Sequence, residues 1–192
     1  HETVGDEPMG HIIENRHLYQ ALYDAVGKYD NIHLFAPAQW TSIESGNNHV
    51  TVTLEDGTVL SARLLVGADG RRSRIRDHFG IRTITMDYHQ SGIVCTIKHE
   101  KPHHGVAVEH FLPAGPFAIL PMVDPYHSSL VWTEKSKLTP CFMDMEDEAF
   151  TAQIHRRFGD FLGDIAVTGP RWAYPLSLCV ATCYTGPRMC LV

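Results

Sequence analysis

The stretch Leu64-Leu65-Val66-Gly67-Ala68-Asp69-Gly70-Arg71-Arg72-Ser73-Arg74-Ile75-Arg76 decides how the rest of the chain reads. Its apolar start describes a buried strand, Gly67-Ala68-Asp69-Gly70 a tight turn, and Ser73 to Phe79 a short helix with Gly80 as its stop. Gly67 and Gly70 can take backbone conformations closed to other residues and let a ligand come close. Asp69 is an acceptor suited to ribose hydroxyls. Arg71, Arg72, Arg74 and Arg76, with Arg63 and Arg82, place six of the chain's 16 basic residues between positions 63 and 82. A dinucleotide pyrophosphate would meet both a helix N-terminus and guanidinium groups there.

On residues alone a second reading stays open, in which Asp69-Gly70 is only a turn and the arginines form a solvated face. Nucleic acid is not the expected partner. No aromatic platform is interleaved with the arginines, and a formal charge of -6 gives no general attraction to polyanions.

Upstream, Val50, Val52 and Leu54 alternate with polar residues, Glu55-Asp56-Gly57 turns the chain, and Thr58 begins a second strand toward Leu64-Leu65-Val66. Earlier still, Leu18, Leu22, Ala25 and Val26 recur at helical spacing, which predicts an amphipathic helix from Asn15, its cap, to Tyr29. Ile32-His33-Leu34-Phe35 is a short strand candidate. Downstream the texture changes to strand candidates Ile93–Lys98, Ala107–Leu112, Phe117–Met122 and Ser128–Glu134, separated by Pro, Gly, His and Asp clusters. A helix over Met145–Leu162, with Phe150, Ile154, Phe158 and Phe161 on one face and Glu146, Asp147 and Glu148 in its first turn, should cover that sheet. Gly169-Pro170 should then break the chain before a strand at Trp172–Leu178, and Arg188–Val192 starts a return.

With 192 residues, 44% hydrophobic and 20% charged, the chain has the composition of one globular domain or parts of two. Five cysteines without CxxC spacing suit free thiols in a reducing compartment, so the cytoplasm is the expected location. Thirteen histidines scatter without HExxH or zinc-type pairing, and no metal site is expected. No apolar run is long enough to span a bilayer, and His1-Glu2-Thr3-Val4-Gly5-Asp6-Glu7 has neither a basic nor an apolar region of export type. The missing initiator Met and the apolar end Met189-Cys190-Leu191-Val192 read as an internal piece of a longer protein.

The decisive stretch resembles the Asp-Gly fingerprint of flavoprotein monooxygenases of the para-hydroxybenzoate hydroxylase group: an apolar run, Ala-Asp-Gly, two free positions, Ser, and a basic residue. Asp69, Gly70, Ser73 and Arg76 fill those places. Ile12-Ile13-Glu14-Asn15-Arg16-His17-Leu18 is similar to the family segment in which an Arg begins a helix and reaches the flavin. His110-Phe111-Leu112-Pro113-Ala114-Gly115-Pro116-Phe117-Ala118-Ile119-Leu120-Pro121, Ser129-Leu130-Val131-Trp132 and Ala173-Tyr174-Pro175-Leu176 look like the substrate-domain sheet of the UbiH/UbiF-type hydroxylases of ubiquinone biosynthesis.

That resemblance implies an α/β and α+β architecture, part of a para-hydroxybenzoate hydroxylase-like FAD-binding domain plus an antiparallel-sheet substrate domain. It divides the chain into a partial FAD-binding domain at 1–80, a substrate domain at 81–185, and a strand returning to the first domain at 186–192. It implies FAD contacts for Arg16, Asp69, Gly70, Ser73 and Arg76, with NAD(P)H as reductant, and assigns no catalytic acid or base. The implied activity is a monooxygenase placing one oxygen atom of dioxygen on the aromatic ring of a polyprenylated ubiquinone precursor. Partners would include other ubiquinone-biosynthesis proteins, with peripheral contact at the inner membrane face. An apolar channel for the polyprenyl chain has Phe111, Phe117, Leu120, Met122, Trp132 and Tyr174 as lining candidates. The GxGxxG unit and the Gly-Asp segment of the family do not occur in this sequence, so the piece alone should bind FAD poorly and be inactive. Two alternatives remain: a relative acting on a small soluble aromatic, and a noncatalytic domain that keeps the fold.

Overall fold

The computed structural model describes residues 10–192, so the opening segment read for an export signal lies outside the described residues. In chain order the elements are α1 (Asn15–Val26), β1 (Trp40–Ser45), β2 (Val50–Leu54), β3 (Val59–Ala62), β4 (Leu65–Gly67), α2 (Arg74–His78), β5 (Thr83–His99), β6 (Val108–Leu112) and β7 (Gly115–Pro121). Then follow β8 (His127–Lys135), α3 (Thr139–Met143), α4 (Asp147–Phe158), β9 (Ile165–Ala181), β10 (Thr185–Gly186) and β11 (Met189–Leu191). The fold is α+β, and the chain divides into two compact units.

The first unit comprises 10–28 and Asp87–Ser177, the second Tyr29–Met86 and Leu178–Val192. The sequence-based bounds at 80, 81 and 185 fall elsewhere because the observed divisions lie inside β5 and β9, where no Pro/Gly/Ser-rich linker marks them.

The first unit is built on a five-stranded sheet of order β6-β7-β8-β5-β9. Its register pairs Ile93 with Trp132, Cys95 with Leu130, Phe117 with Trp132 and Ile119 with Leu130. Strand side chains alternate between faces, so these residues share one face. That face packs against Phe142 of α3 and Phe150, Ile154 and Phe158 of α4 to make the core. Trp132 sits at its centre, with ring centroids 4.4 Å from Phe142 and 5.4 Å from Phe150. Arg171 of β9 ties the helices down, donating to the carbonyls of Phe142 and Met145 and to the Asp147 carboxylate.

Several expectations need correction. The N-cap of α1 is Glu14, without a side-chain capping bond, because Asn15 already has helical geometry. The apolar stripe of α1 buries nothing among the described residues, and Leu22 is 54% exposed. Ile32–Phe35 has no strand partner and stays irregular. The long Met145–Leu162 helix begins at Asp147 and ends at Phe158, where Gly159 takes φ 83°. A separate short helix, α3, precedes it with Pro140 in its first turn, a position Pro tolerates well. Phe161 lies outside α4 and is exposed, while Leu162 takes the buried place. Gly169-Pro170 does not end the strand: β9 runs through it with Gly169 at φ 81°, which a Pro on an edge strand allows.

In the second unit β1, β2 and β3 form an antiparallel sheet, with Glu55-Asp56-Gly57 at the β2–β3 turn and Gly57 at φ 85°. A second small sheet has the order β10-β11-β4, in which β11 runs parallel to β4 and pairs Leu191 with Gly67. Ile43, Val50, Ile75 and Met189 form the core of this unit.

Candidate functional site

The Asp-Gly corner lies in the second unit. β4 delivers the chain to Gly67, where an added Cβ would meet Leu191 Cδ2 at 2.8 Å and Ile75 Cγ2 at 3.1 Å. Gly67 is therefore needed for close strand-to-helix packing, not for ligand approach. At Gly70 the reverse holds: its φ is 74°, and a Cβ there would meet nothing within 4 Å.

A polar network fixes the turn. Ser73 caps α2, its hydroxyl accepting the Arg76 N–H at 2.9 Å. Oδ2 of Asp69 accepts the Ile75 N–H at 3.2 Å. Partial burial pushes the Asp69 pKa up, but donation from the Ser73 hydroxyl and from backbone N–H groups, Ile75 foremost, outweighs it and holds the carboxyl below its ordinary value. Arg76 closes the loop, donating to the Arg71 carbonyl at 2.7 Å and pairing with Asp77 at 2.7 Å.

The expected helix N-terminal phosphate site is thus corrected: the Ile75 and Arg76 N–H groups already serve Asp69 and Ser73. The buried strand also needs correction. Val66 is 46% exposed and Leu64 is exposed, because β4 is the edge of a three-stranded sheet with one face covered by Ile75 of α2. Arg74 turns back, its guanidinium 4.4 Å from the centre of the Trp40 ring, whereas Arg63, Arg72 and Arg82 extend into solvent. Arg16 belongs to the first unit, where its exposed side chain pairs with Glu14 at 3.0 Å.

In the first unit the sheet face opposite α3 and α4 carries Gly92, Val94, Thr96, Leu120 and Val131, all of the other strand parity. Phe111 of β6 lies on this open face and is 82% exposed. Leu176 lies beside Gly92, and Tyr174, two residues away, is exposed on the same side. Of the six lining candidates, Phe117 and Trp132 must be withdrawn, since both are locked in the core on the covered face. The parity was legible from the alternation Ile93, Cys95, Ile97, but which face the helices cover was not.

The FAD binding domain family matches residues 9–192. The chain belongs to this family. As an FAD binding domain chain it is 49% identical over 185 residues to ubiquinone hydroxylase UbiL of Rhodospirillum rubrum, covering 96% of this chain and 43% of that protein. It is 34% identical over 162 residues to the mitochondrial ubiquinone biosynthesis monooxygenase COQ6 of Mus musculus, covering 79% of this chain and 34% of that protein. Against 3-demethoxyubiquinol 3-hydroxylase of Escherichia coli the identity is 29%, with coverages of 96% and 46%. The chain thus spans less than half the length of these relatives.

Among solved structures, pqsL of Pseudomonas aeruginosa, described as a probable FAD-dependent monooxygenase, superposes with a TM-score of 0.75 at 16% identity, over 91% of this chain and 50% of that one. The flavin-dependent monooxygenase PieE, in complex with FAD and substrate, gives 0.64 at 20% identity, over 94% and 33%. At these identities the likeness establishes the para-hydroxybenzoate hydroxylase-like fold.

A nucleotide could approach this turn at Gly70 and Arg72, which are both exposed. Asp69 and Ser73 act one step back, as the network that holds the turn. Among the described residues no group of His, Cys, Asp and Glu could hold a metal ion, and no helix is long and apolar enough to cross a membrane.

Proposed function

We propose that this chain is part of an FAD-dependent monooxygenase that hydroxylates the aromatic ring of a polyprenylated ubiquinone precursor, with NAD(P)H as reductant. The observation that carries this reading is the 49% identity to ubiquinone hydroxylase UbiL across 96% of the chain. Bound FAD supplies the oxygen-transfer chemistry, which no side chain can provide.

The protein's own part is binding and exclusion. Gly70 and Arg72 meet the nucleotide at the turn that Asp69, Ser73 and Arg76 hold in shape, and for Arg16, in the other unit, the family resemblance implies a flavin contact. The open sheet face, with Val94, Leu120, Val131, Phe111 and Tyr174, receives the ring on an apolar surface and keeps water from it. Contact with the membrane surface and with other ubiquinone-biosynthesis proteins belongs to the same reading, as does a cytoplasmic location at the inner membrane face.

The test uses the full-length protein. It should purify yellow, consume oxygen in a nicotinamide-dependent way, and add one oxygen atom to a prenylated phenolic precursor. Turnover of soluble hydroxybenzoates in preference to prenylated rings would replace the substrate assignment, and a colourless protein without oxygen uptake would overturn the enzyme reading itself.

A further inference from the structure

At one end of the large sheet, the turn between β5 and β6 and the turn between β7 and β8 are clasped by a single side chain. The His103 Nδ1 accepts the Gly105 N–H at 2.9 Å. On the other side of the ring, Nε2 faces the carbonyl oxygens of Met122 at 3.1 Å and Asp124 at 3.2 Å. Carbonyls only accept, so Nε2 carries the proton and Nδ1 does not. Both ring nitrogens are committed to one tautomer of the neutral imidazole. The backbone reinforces the clasp, with His103 N–H donating to the Pro125 carbonyl and Val106 N–H to the His103 carbonyl, each at 3.0 Å.

The turn held in this way is conformationally demanding. His104 has φ 53° and Gly105 φ 73°, so two successive residues sit in the left-handed region, one of them not glycine. The same turn walls a cleft of about 680 Å³, lined by Ile12, His103, Val106, Pro121, Met122 and Val123.

We propose that His103 is a proton-operated latch on this turn: neutral, its Nδ1 holds the Gly105 N–H at the edge of the cleft, and protonated, it lets that N–H go while Nε2 keeps its hold on the Met122 and Asp124 carbonyls. A proton on Nδ1 turns an acceptor into a donor pointed at the Gly105 N–H, so that hydrogen bond is lost and nothing replaces it on the ring. The His99 ring lies 5.9 Å from His103, its Nδ1 bonded to the Lys101 carbonyl at 2.7 Å and its Nε2 to the Ser128 hydroxyl at 3.0 Å. His127 pairs with Asp124 at 3.0 Å, Lys98 lies near that carboxylate, and among the described residues His104 and His11 line the same cleft. The latch is independent of the flavin reading, since it needs only the two turns.

The test is hydrogen exchange at the Gly105 amide, corrected for its intrinsic pH dependence, followed together with the titration of the His103 ring protons by NMR on the whole chain. Protection of Gly105 should fall about tenfold with the same midpoint as the ring, the effect of losing one ordinary hydrogen bond, while core amides such as Ile93 stay protected. His103→Asn keeps an acceptor able to reach the N–H two residues on and cannot be protonated, so its Gly105 protection should not change with pH. His103→Ala should lack that protection throughout. The latch is refuted if the His103 ring titrates while Gly105 protection stays level, if His103→Asn loses protection as the wild type does, or if the ring fails to titrate before the core opens.

Discussion

Asp69 and Ile75 are joined by one hydrogen bond, the Ile75 N–H donating to Oδ2 of the carboxylate at 3.2 Å, and this bond turns the family's Asp-Gly fingerprint into a helix cap. The carboxylate that sequence reasoning reserves for a ribose is spent, at least on one oxygen, in holding its own turn. Gly70 then presents the free edge of that turn.

Removing the cap should show as lost stability. Ser73→Ala deletes a buried N-cap hydroxyl and should cost about 1 kcal/mol, and Asp69→Ala a similar amount. The Asp69 contribution should depend on pH with a definite sign. Its folded pKa is depressed, so the stabilisation is complete above the unfolded value of about 3.9 and disappears as pH falls through the lower folded pKa. Urea unfolding of wild type and Asp69→Asn should converge at low pH and separate near neutrality; a constant gap would show that the carboxylate charge contributes nothing.

Gly67→Ala should be destabilising by about 1–3 kcal/mol, the usual effect of overpacking, because its Cβ would stand 2.8 Å from Leu191 and 3.1 Å from Ile75. Leu191→Ala made in the same chain should recover part of that loss. Additive urea-unfolding costs for the two substitutions would mean that β4 and β11 do not pack as closely as described.

The sequence carried the large sheet well because its strands are bounded by turn residues and its core face alternates cleanly: Ile93, Cys95 and Ile97 match their register partners across β8. What stayed hidden depends on long-range packing. Phe117 and Trp132 look like pocket aromatics beside Phe111, and only the position of α3 and α4 reveals that the first two are core. Gly169-Pro170 reads as a break because local rules do not know that β9 is an edge strand. At the candidate site the motif located the corner correctly in the chain, but the engagement of Asp69 and Ser73 by backbone N–H groups is a matter of turn geometry that composition does not encode.

Arg157 should prove more important to stability than an ordinary helix arginine. Its guanidinium lies 4.1 Å from the centre of the Trp132 ring, bonds Gln153, and sits 3.7 Å from the buried carboxylate of Glu134, which is 5% exposed. Arg157→Ala would leave Glu134 buried without its counter-charge, at a cost of about 3–5 kcal/mol. Glu134→Gln should cost less, since Arg157 keeps its aromatic and amide partners. A double-mutant cycle measured by urea unfolding should give a coupling of at least about 0.5 kcal/mol between the two; no coupling would make the 3.7 Å approach incidental.

The five thiols should divide sharply in reactivity. Burial pushes the Cys95 thiol up to about 11, with Asp147 also raising it and Arg171 opposing. Cys141 and Cys183 are exposed on the surface. The thiolate is the reactive form, and at pH 8 a group titrating near 11 supplies almost none of it. A disulfide reagent at that pH should therefore modify Cys141 and Cys183 rapidly in the native protein and leave Cys95 untouched until denaturant is added. Peptide mapping after timed labelling separates the sites, and rapid native labelling of Cys95 would mean that the sheet opens on the timescale of the reaction, contrary to a core closed by Trp132 and α4.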